Sequence, residues 1–340
     1  MTISDILSDI RKKKIDVTLL SEDTSPCTVS EWISTGCLAL DRICGKGIPV
    51  GRVMEIYGDE STGKSLIAEQ IASVAQQDGH IVAYADTETA VSKDMMEEVG
   101  VNIEELIYAS PDTVEEVFKF FDAIIESKRE RSPETVLVLI WDSIAATSSL
   151  QEMENEYGKL GYPSQAKLIS QGLRKITRAI ANDKVCMVLL NQIRQNIGVM
   201  YGPKETTFGG MAVKFHASIR VQLFKAGKIT TANKKVIGIS TKAVVVKNKL
   251  APPFQETILP IYFGHGIDDA RATLNYLKAH DLMVCPKGAR EYTIAIDGED
   301  IKVKSSEWPT FYEDNYATIE KMVYSDSSYG TEDAIVEEEE

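Results

Sequence analysis

The chain has 340 residues, 44% of them hydrophobic and 26% charged, with a formal net charge of −14. It reads as a soluble globular protein with one large core and one or two small appendages. No run of about 18 uninterrupted apolar residues occurs, which argues against a bilayer-spanning helix. The opening MTISDILSDIRKKK carries its acids before its basic run and has no apolar centre, so it is not read as a secretory signal. Five scattered cysteines (Cys27, Cys37, Cys44, Cys186, Cys285) show no CxxC spacing. They are expected to be free thiols in a reducing compartment, and a cytoplasmic protein follows.

The acidic total hides a strong asymmetry. Between Tyr157 and Lys249 there are 17 Lys/Arg and only two acids, Asp183 and Glu205. The remainder carries 20 basic and 49 acidic residues. A localised polyanion site on an otherwise self-repelling surface produces such a pattern, although a merely solvated basic face produces it too.

In chain order, residues 2–14 form a short helix with Ile3, Ile6, Leu7 and Ile10 on one face. The polar segment Ser21–Ser30 reads as a linker. Strands are expected at Val53–Tyr57, Ile81–Ala85, Leu106–Ala109, Val136–Trp141 and Val185–Leu190. Helices are expected between them at Ser65–Gln77, Lys93–Glu98, Val114–Ser127 and Ser164–Asn182. This alternation predicts an α/β fold with a mainly parallel, twisted sheet flanked by helices. Ile219–Phe224, Lys242–Val246 and Thr257–Tyr262 follow one another as strands and should extend the sheet with antiparallel pairs. A small α/β region comes next, with a helix at Ala270–His280 and a hairpin, Tyr292–Ile296 and Ile301–Lys304, turning at Asp297-Gly298. From Asp326 to Glu340 there are seven acids and no base, which predicts a disordered acidic tail.

Gly58-Asp59-Glu60-Ser61-Thr62-Gly63-Lys64-Ser65 fits G-x-x-x-x-G-K-[ST] at every position. It follows an expected strand and opens an expected helix, as a phosphate-binding loop must. Its backbone N–H groups turn inward around phosphate, Lys64 neutralises the β/γ oxygens and Ser65 ligates Mg²⁺. Asp142 ends an apolar strand about 80 residues further on, where the second magnesium-holding carboxylate of such an ATPase belongs. A group that orients water is also needed, and Asp86-Thr87-Glu88 follows the second strand at the same sheet edge. The residues alone leave Asp86 and Glu88 nearly equal.

Four segments resemble the bacterial and phage RecA recombinase family, in the same order and at near-equal spacing. They are ISTGCLALD (Ile33–Asp41), GRVMEIYGDESTGKS (Gly51–Ser65), NQIRQNIGVMYGPKETTFGG (Asn191–Gly210) and KNKLAPPF (Lys247–Phe254). A weaker match lies in SQGLRKI (Ser170–Ile176), and the resemblance covers about residues 31–268. It implies a RecA-like P-loop core at 31–268, an N-terminal oligomerisation helix and linker at 1–30, a small domain at 269–325 and the tail at 326–340. It implies a DNA-dependent ATPase that forms a helical filament on single-stranded DNA and exchanges strands with homologous duplex, with mediator proteins unidentified.

Carried over residue by residue, the resemblance makes Glu88 the group that activates water and Gln192 the sensor of the γ-phosphate. Lys247 and Lys249 would reach a neighbour's ATP. Without the family, Gln192 reads equally as a structural amide and the lysines as a basic turn. Two loops, Glu154–Tyr162 and Arg194–Gly210, would form the DNA channel. Tyr162 and Ile197 would wedge between bases. Lys167, Ser170, Arg174 and Arg194 would take phosphates, with Gly209 and Gly210 closing the second loop. Met95 stands where the family has a tyrosine stacking on adenine, and its soft apolar surface would cover the base instead. Tyr162 and Gln195 also depart from the bacterial pattern, and the basic N-terminal arm is shorter. Lys287, Arg290, Lys302 and Lys304 read either as duplex contacts or as plain basic surface. Two rival classes share the motifs: a ring-forming helicase motor, and a regulatory ATPase indifferent to DNA.

Overall fold

A strand buried on both faces needs apolar side chains at every position, and the sequence supplies several such runs. The computed structural model describes residues 2–15, 17, 19, 29–155, 164–195, 205–286, 290–296 and 298–326. The chain opens with α1 (Ile3–Lys12), started by a capping box in which Thr2 and Asp5 exchange side-chain-to-backbone hydrogen bonds. A ribbon of β1 (Trp32–Ile33) and β2 (Ile48–Pro49) brackets α2 (Leu38–Cys44), a helix buried except at Arg42. The core then runs β3 (Val53–Gly58), α3 (Lys64–Gln77), β4 (Ile81–Asp86), α4 (Lys93–Glu98), β5 (Leu106–Ala109) and α5 (Val114–Arg131). It continues through β6 (Leu137–Asp142), α6 (Leu150–Glu154), α7 (Ser164–Asn182), β7 (Val185–Gln195), β8 (Glu205–Thr207) and α8 (Gly210–His216). The long strands β9 (Ile219–Thr230), β10 (Val236–Asn248) and β11 (Glu256–Tyr262) precede the short β12 (Gly266–Ile267). The last region holds α9 (Asp269–Ala279), β13 (Met283–Val284), β14 (Glu291–Ile296), β15 (Glu299–Lys304), α10 (Trp308–Asp314) and α11 (Tyr316–Ser325).

The main sheet has the order β12-β11-β10-β9-β3-β7-β6-β4-β5, with β8 paired to β7. From β9 to β5 the neighbours are parallel, and β9 to β12 pair antiparallel. Alternate residues feed two apolar clusters, one on each face. In β6, Val138 and Ile140 join the cluster beneath α3, while Leu137, Leu139 and Trp141 join Phe121 of α5 and Ile176 of α7. The α/β architecture with a mainly parallel sheet is thus the one expected. Because the parallel strands point one way, the turns after β3 and β4 and the ends of β6 and β7 gather at one edge.

Several boundaries differ from expectation for identifiable reasons. Strand β7 continues to Gln195 because Ile193, Arg194 and Gln195 pair antiparallel with β8. Gln192 and Arg194 therefore lie within a strand, and Gly210 opens a helix. In α7 the buried stripe is Ile169, Leu173, Ile176 and Ile180, with Leu168 only half-buried. Helices α2, α6, α8, α10 and α11 were not anticipated. The linker at 21–30, apart from Ser30 and its neighbour, residues 156–163 and 196–204 of the two expected loops, Lys287, Asp297 and the tail beyond Asp326 lie outside the described residues. The C-terminal elements are continuous with the core, since Leu277, Tyr292, Trp308 and Ile319 extend the cluster beneath α3.

Asp41 fastens α2 to the turn before it. Its carboxylate accepts hydrogen bonds from Ser34 Oγ (2.5 Å), Thr35 N (2.8 Å) and Thr35 Oγ1 (2.6 Å). Burial outweighs these bonds and, with Asp269 close by, raises its pKa from 3.8 to about 7. An acid raised on folding stabilises the native state while protonated, and that stability is lost as pH climbs from 3.8 to about 7. A tenfold change in proton affinity between the folded and unfolded chain is worth about 1.4 kcal/mol. Urea denaturation across this range is expected to show a loss in the native protein of roughly 3 kcal/mol more than in Asp41→Asn.

Candidate functional site

The turn from β3 into α3 is built for close approach. Gly63 has φ 90° and caps α3, and a Cβ on it would meet Ile261 Cδ1 at 2.6 Å. Gly58 abuts Leu223, whose carbonyl oxygen would lie 2.5 Å from an added Cβ. Thr62 is buried, with its hydroxyl donating to Asp59 O (2.9 Å) and its own carbonyl accepting from Thr241 (3.0 Å). Asp59, Glu60 and Ser61 stay exposed on the outer side of the turn. The loop is thus tied to β9, β10 and β11 behind it while its front opens onto a cleft.

That cleft, of about 330 Å³, is lined by Glu60, Ser61, Gly63, Lys64, Ser65, Glu69, Glu88, Met95, Asp142 and Gln192, among others. Lys64 folds back on the loop, donating to Gly58 O (3.1 Å) and Asp59 O (2.7 Å). Burial lowers its pKa against the pull of Asp142, Glu88, Asp59 and Glu60. At the floor, Asp142 accepts from Tyr84 OH (2.8 Å) and from Ser65. Burial raises its pKa, with Glu88 and Asp86 adding repulsion. A hydroxyl and a carboxylate of this kind are hard oxygen donors that suit a divalent cation accompanied by phosphate. Met95 also lines the cleft and is 46% exposed.

Glu88 and Asp86 separate clearly. Asp86 is buried, accepting from Glu88 N (3.1 Å), Val91 N (3.2 Å) and Tyr108 OH (2.9 Å), so it shapes the turn. Glu88 faces the cleft, and its Oε1 accepts from Ser143 Oγ (2.6 Å) and Gln192 Nε2 (3.2 Å). Ser143 itself is placed by Thr87, whose Oγ1 accepts from Ser143 N (3.0 Å) and donates to Ser143 O (2.8 Å).

Gln192 is aimed by the residue before it. Asn191 is fully buried, donating from Nδ2 to Glu55 Oε1 (2.9 Å) and Phe208 O (2.9 Å) and accepting from Gln192 N (2.9 Å) at Oδ1. Glu55 in turn pairs with Arg220, its register partner on β9, whose guanidinium lies 4.6 Å from the Tyr57 ring. One buried amide therefore holds both Gln192 and Phe208, the residue that follows β8.

The remaining candidates lie elsewhere. Lys247 and Lys249 do not enter this chain's cleft. Both rest on the C-terminal carbonyls of α8, Lys247 on Lys214 O and Lys249 on Phe215 O (3.3 Å). Burial and the neighbouring Lys249 and Arg220 lower the Lys247 pKa to about 8. Lys167 and Arg174 are exposed on α7, Ser170 is half-buried between them, and Arg174 Nε donates to Ser170 O (3.2 Å). Arg194 stacks 5.7 Å from the Phe208 ring, and Gly209, with φ 79°, caps α8 before Gly210. Tyr162 and Ile197 lie outside the described residues.

Sequence reasoning missed Ser143, Asn191 and Glu69. Ser143 and Asn191 were visible only as neighbours of Asp142 and Gln192. Glu69 carried a signal: an acid one helical turn after Ser65, among the apolar residues of α3. Among the described residues, no helix is long and apolar enough to cross a membrane.

Comparison with known proteins is consistent with this geometry. The model of the RecA N-terminal domain matches residues 1–268. The protein RecA of Thermus thermophilus is 41% identical over 244 residues, covering 72% of this chain and 70% of that one. RecA of Cereibacter sphaeroides is 40% identical over 244 residues, covering 72% and 69%. RecA of Desulforapulum autotrophicum is 39% identical over 284 residues, covering 83% and 79%.

Ser143 does not line the cleft, so its influence on any reaction there runs through Glu88. Ser143→Ala is expected to lower nucleotide turnover roughly tenfold while leaving nucleotide affinity unchanged, as steady-state kinetics and equilibrium titration would read.

Proposed function

The chain belongs to the RecA family, the ATP-dependent recombinases of DNA recombination and repair, and we propose that the cleft at the end of β3 is where it binds and hydrolyses ATP. The observation that carries this reading is the pair of hydrogen bonds on Glu88, one from Ser143 and one from Gln192. They join a water-activating carboxylate to the strand that leads into the 196–204 segment.

On this reading the loop Gly58–Ser65 wraps the phosphates with its backbone N–H groups. Lys64 exchanges the carbonyls of Gly58 and Asp59 for the β/γ oxygens. Ser65 and Asp142 hold Mg²⁺, which when bound offsets phosphate charge. Met95 covers the base. Glu88 orients the attacking water and takes its proton. Before hydrolysis, Gln192 would exchange Glu88 for the γ-phosphate, and loss of that contact on hydrolysis would pass along β7 to the DNA loops. Lys247 and Lys249 leave the end of α8 for the ATP of the adjoining protomer, so that nucleotide bridges subunits of a filament on single-stranded DNA.

DNA contacts on this reading come from Lys167, Ser170, Arg174 and Arg194, from the glycines Gly209 and Gly210, and from Tyr162 and Ile197 as wedges. Homologous duplex is the second substrate, and base pairing supplies the sequence specificity. Helix α1, which buries none of its own residues and leaves Ile3 and Ile6 exposed, would pack on a neighbouring protomer. Residues 1–30 form the oligomerisation arm, 31–268 the ATPase core, 269–325 the small domain and 326–340 the acidic tail. The cytoplasm is the compartment in which Cys37, Cys44, Cys186 and Cys285, all free, would stay reduced.

The test is ATP hydrolysis measured with and without single-stranded DNA, for the native protein, Lys64→Ala and Glu88→Gln. Stimulation by DNA that both substitutions abolish is the expected result. Turnover indifferent to DNA would leave an ATPase and remove the assignment of the basic residues to DNA.

A further inference from the structure

Helix α3 buries Ile67, Ala68, Ile71, Ala72 and Ala75, and Glu69 lies among them at 4% exposure. Its Oε2 has no hydrogen-bond partner among the described residues. A buried carboxyl oxygen left without a partner destabilises the fold, and its persistence calls for a ligand or an ion absent from the bare protein. Apolar packing gives no reason for an acid at this position.

The placement of Glu69 supplies one. It follows Ser65 by four residues, so both side chains leave the same face of α3 one turn apart. Glu69 lines the cleft together with Ser65, Lys64, Asp142 and Glu88. Lys64, a cation of that cleft, has its ammonium on the Gly58 and Asp59 carbonyls. The wall therefore presents several acids to a site that must accept a polyphosphate. Such an arrangement opposes nucleotide on its own and favours nucleotide that arrives with a divalent cation.

We infer that Glu69 is a further oxygen donor for the cation of the nucleotide site, holding a water of the ion's hydration shell beside Ser65 and Asp142. The inference rests on the assignment of that cleft to ATP and a divalent cation. Mg²⁺ keeps several of its waters and uses only one or two carboxylates directly, so a third acid acts through water. Among the described residues no three His, Cys, Asp or Glu converge to hold an ion by themselves, which agrees with an indirect role. The consequence is a nucleotide site whose affinity depends strongly on the cation.

The experiment uses the full chain and a fluorescent, slowly hydrolysed ATP analogue, titrated in EDTA and again with Mn²⁺, with bound Mn²⁺ counted by electron paramagnetic resonance. For Glu69→Gln and Glu69→Leu, the factor by which Mn²⁺ tightens analogue binding is expected to fall roughly tenfold, the usual scale for loss of an outer-shell partner. Metal-free affinity should hold or rise, and the melting temperature of the nucleotide-free protein should not fall. An Mn²⁺ factor equal to that of the native protein in both variants would overturn the role of Glu69 and leave the ATP site standing. Failure of the native protein to bind the analogue, or equal binding by Lys64→Ala, would overturn the site assignment itself and this inference with it.

Discussion

The buried side chain of Asn191 is the interaction on which the working parts depend. Its amide donates to Glu55 and to the carbonyl of Phe208, while its oxygen accepts from the backbone of Gln192. A fully buried amide must satisfy such bonds, because leaving one open costs on the order of 1–3 kcal/mol. Glu55 is in turn committed to Arg220, and breaking a buried pair at one partner costs about 3–5 kcal/mol. Gln192 is therefore held toward Glu88 from behind, and Phe208 is held by the same residue. The end of β7 and the start of α8 share one anchor.

The electrostatics of the cleft follow from burial as much as from charge. Asp142 and Glu69 are both pushed upward in pKa, Glu69 to about 7, chiefly by desolvation and then by neighbouring acids. Lys64 is pushed downward by desolvation. A bare cleft of this kind carries an electrostatic cost that, on the proposed reading, phosphate and cation together would relieve, making their binding cooperative. Lys247 and Lys249 show the complementary logic. They sit on the negative end of α8, a helix that begins at Gly209–Gly210, where the helix carbonyls favour cations.

Much of this was legible in the sequence where local chemistry dictates structure. The short apolar runs at β3, β4 and β6, alternating with amphipathic stretches, read as buried strands, and Gly58–Ser65 announces both its turn and its ligand. Asp86 and Glu88 could not be told apart, because the distinction lies in Tyr108 and the backbone N–H of Val91, which reach Asp86 only in the folded turn. The role of Ser143 depends on a hydroxyl crossing from β6 to the turn after β4, a contact between residues 55 apart. The length of β7 was underestimated because its end is stabilised by β8, a strand too short to carry a pattern of its own. Resemblance to a known family selected Glu88, Gln192 and the two lysines; composition and spacing alone left Glu88 nearly level with Asp86 and left Gln192 and the lysines with a structural alternative.

In the proposed coupling, Gln192 transmits the state of the nucleotide to the DNA-binding segment through its contact with Glu88. The decisive quantity is single-stranded DNA affinity, measured with and without a slowly hydrolysed ATP analogue in the native protein and in Gln192→Ala. The analogue is expected to tighten DNA binding of the native protein roughly tenfold or more. Gln192→Ala is expected to lose this gain while still binding the analogue and, separately, DNA. An equal gain in the variant would refute the coupling.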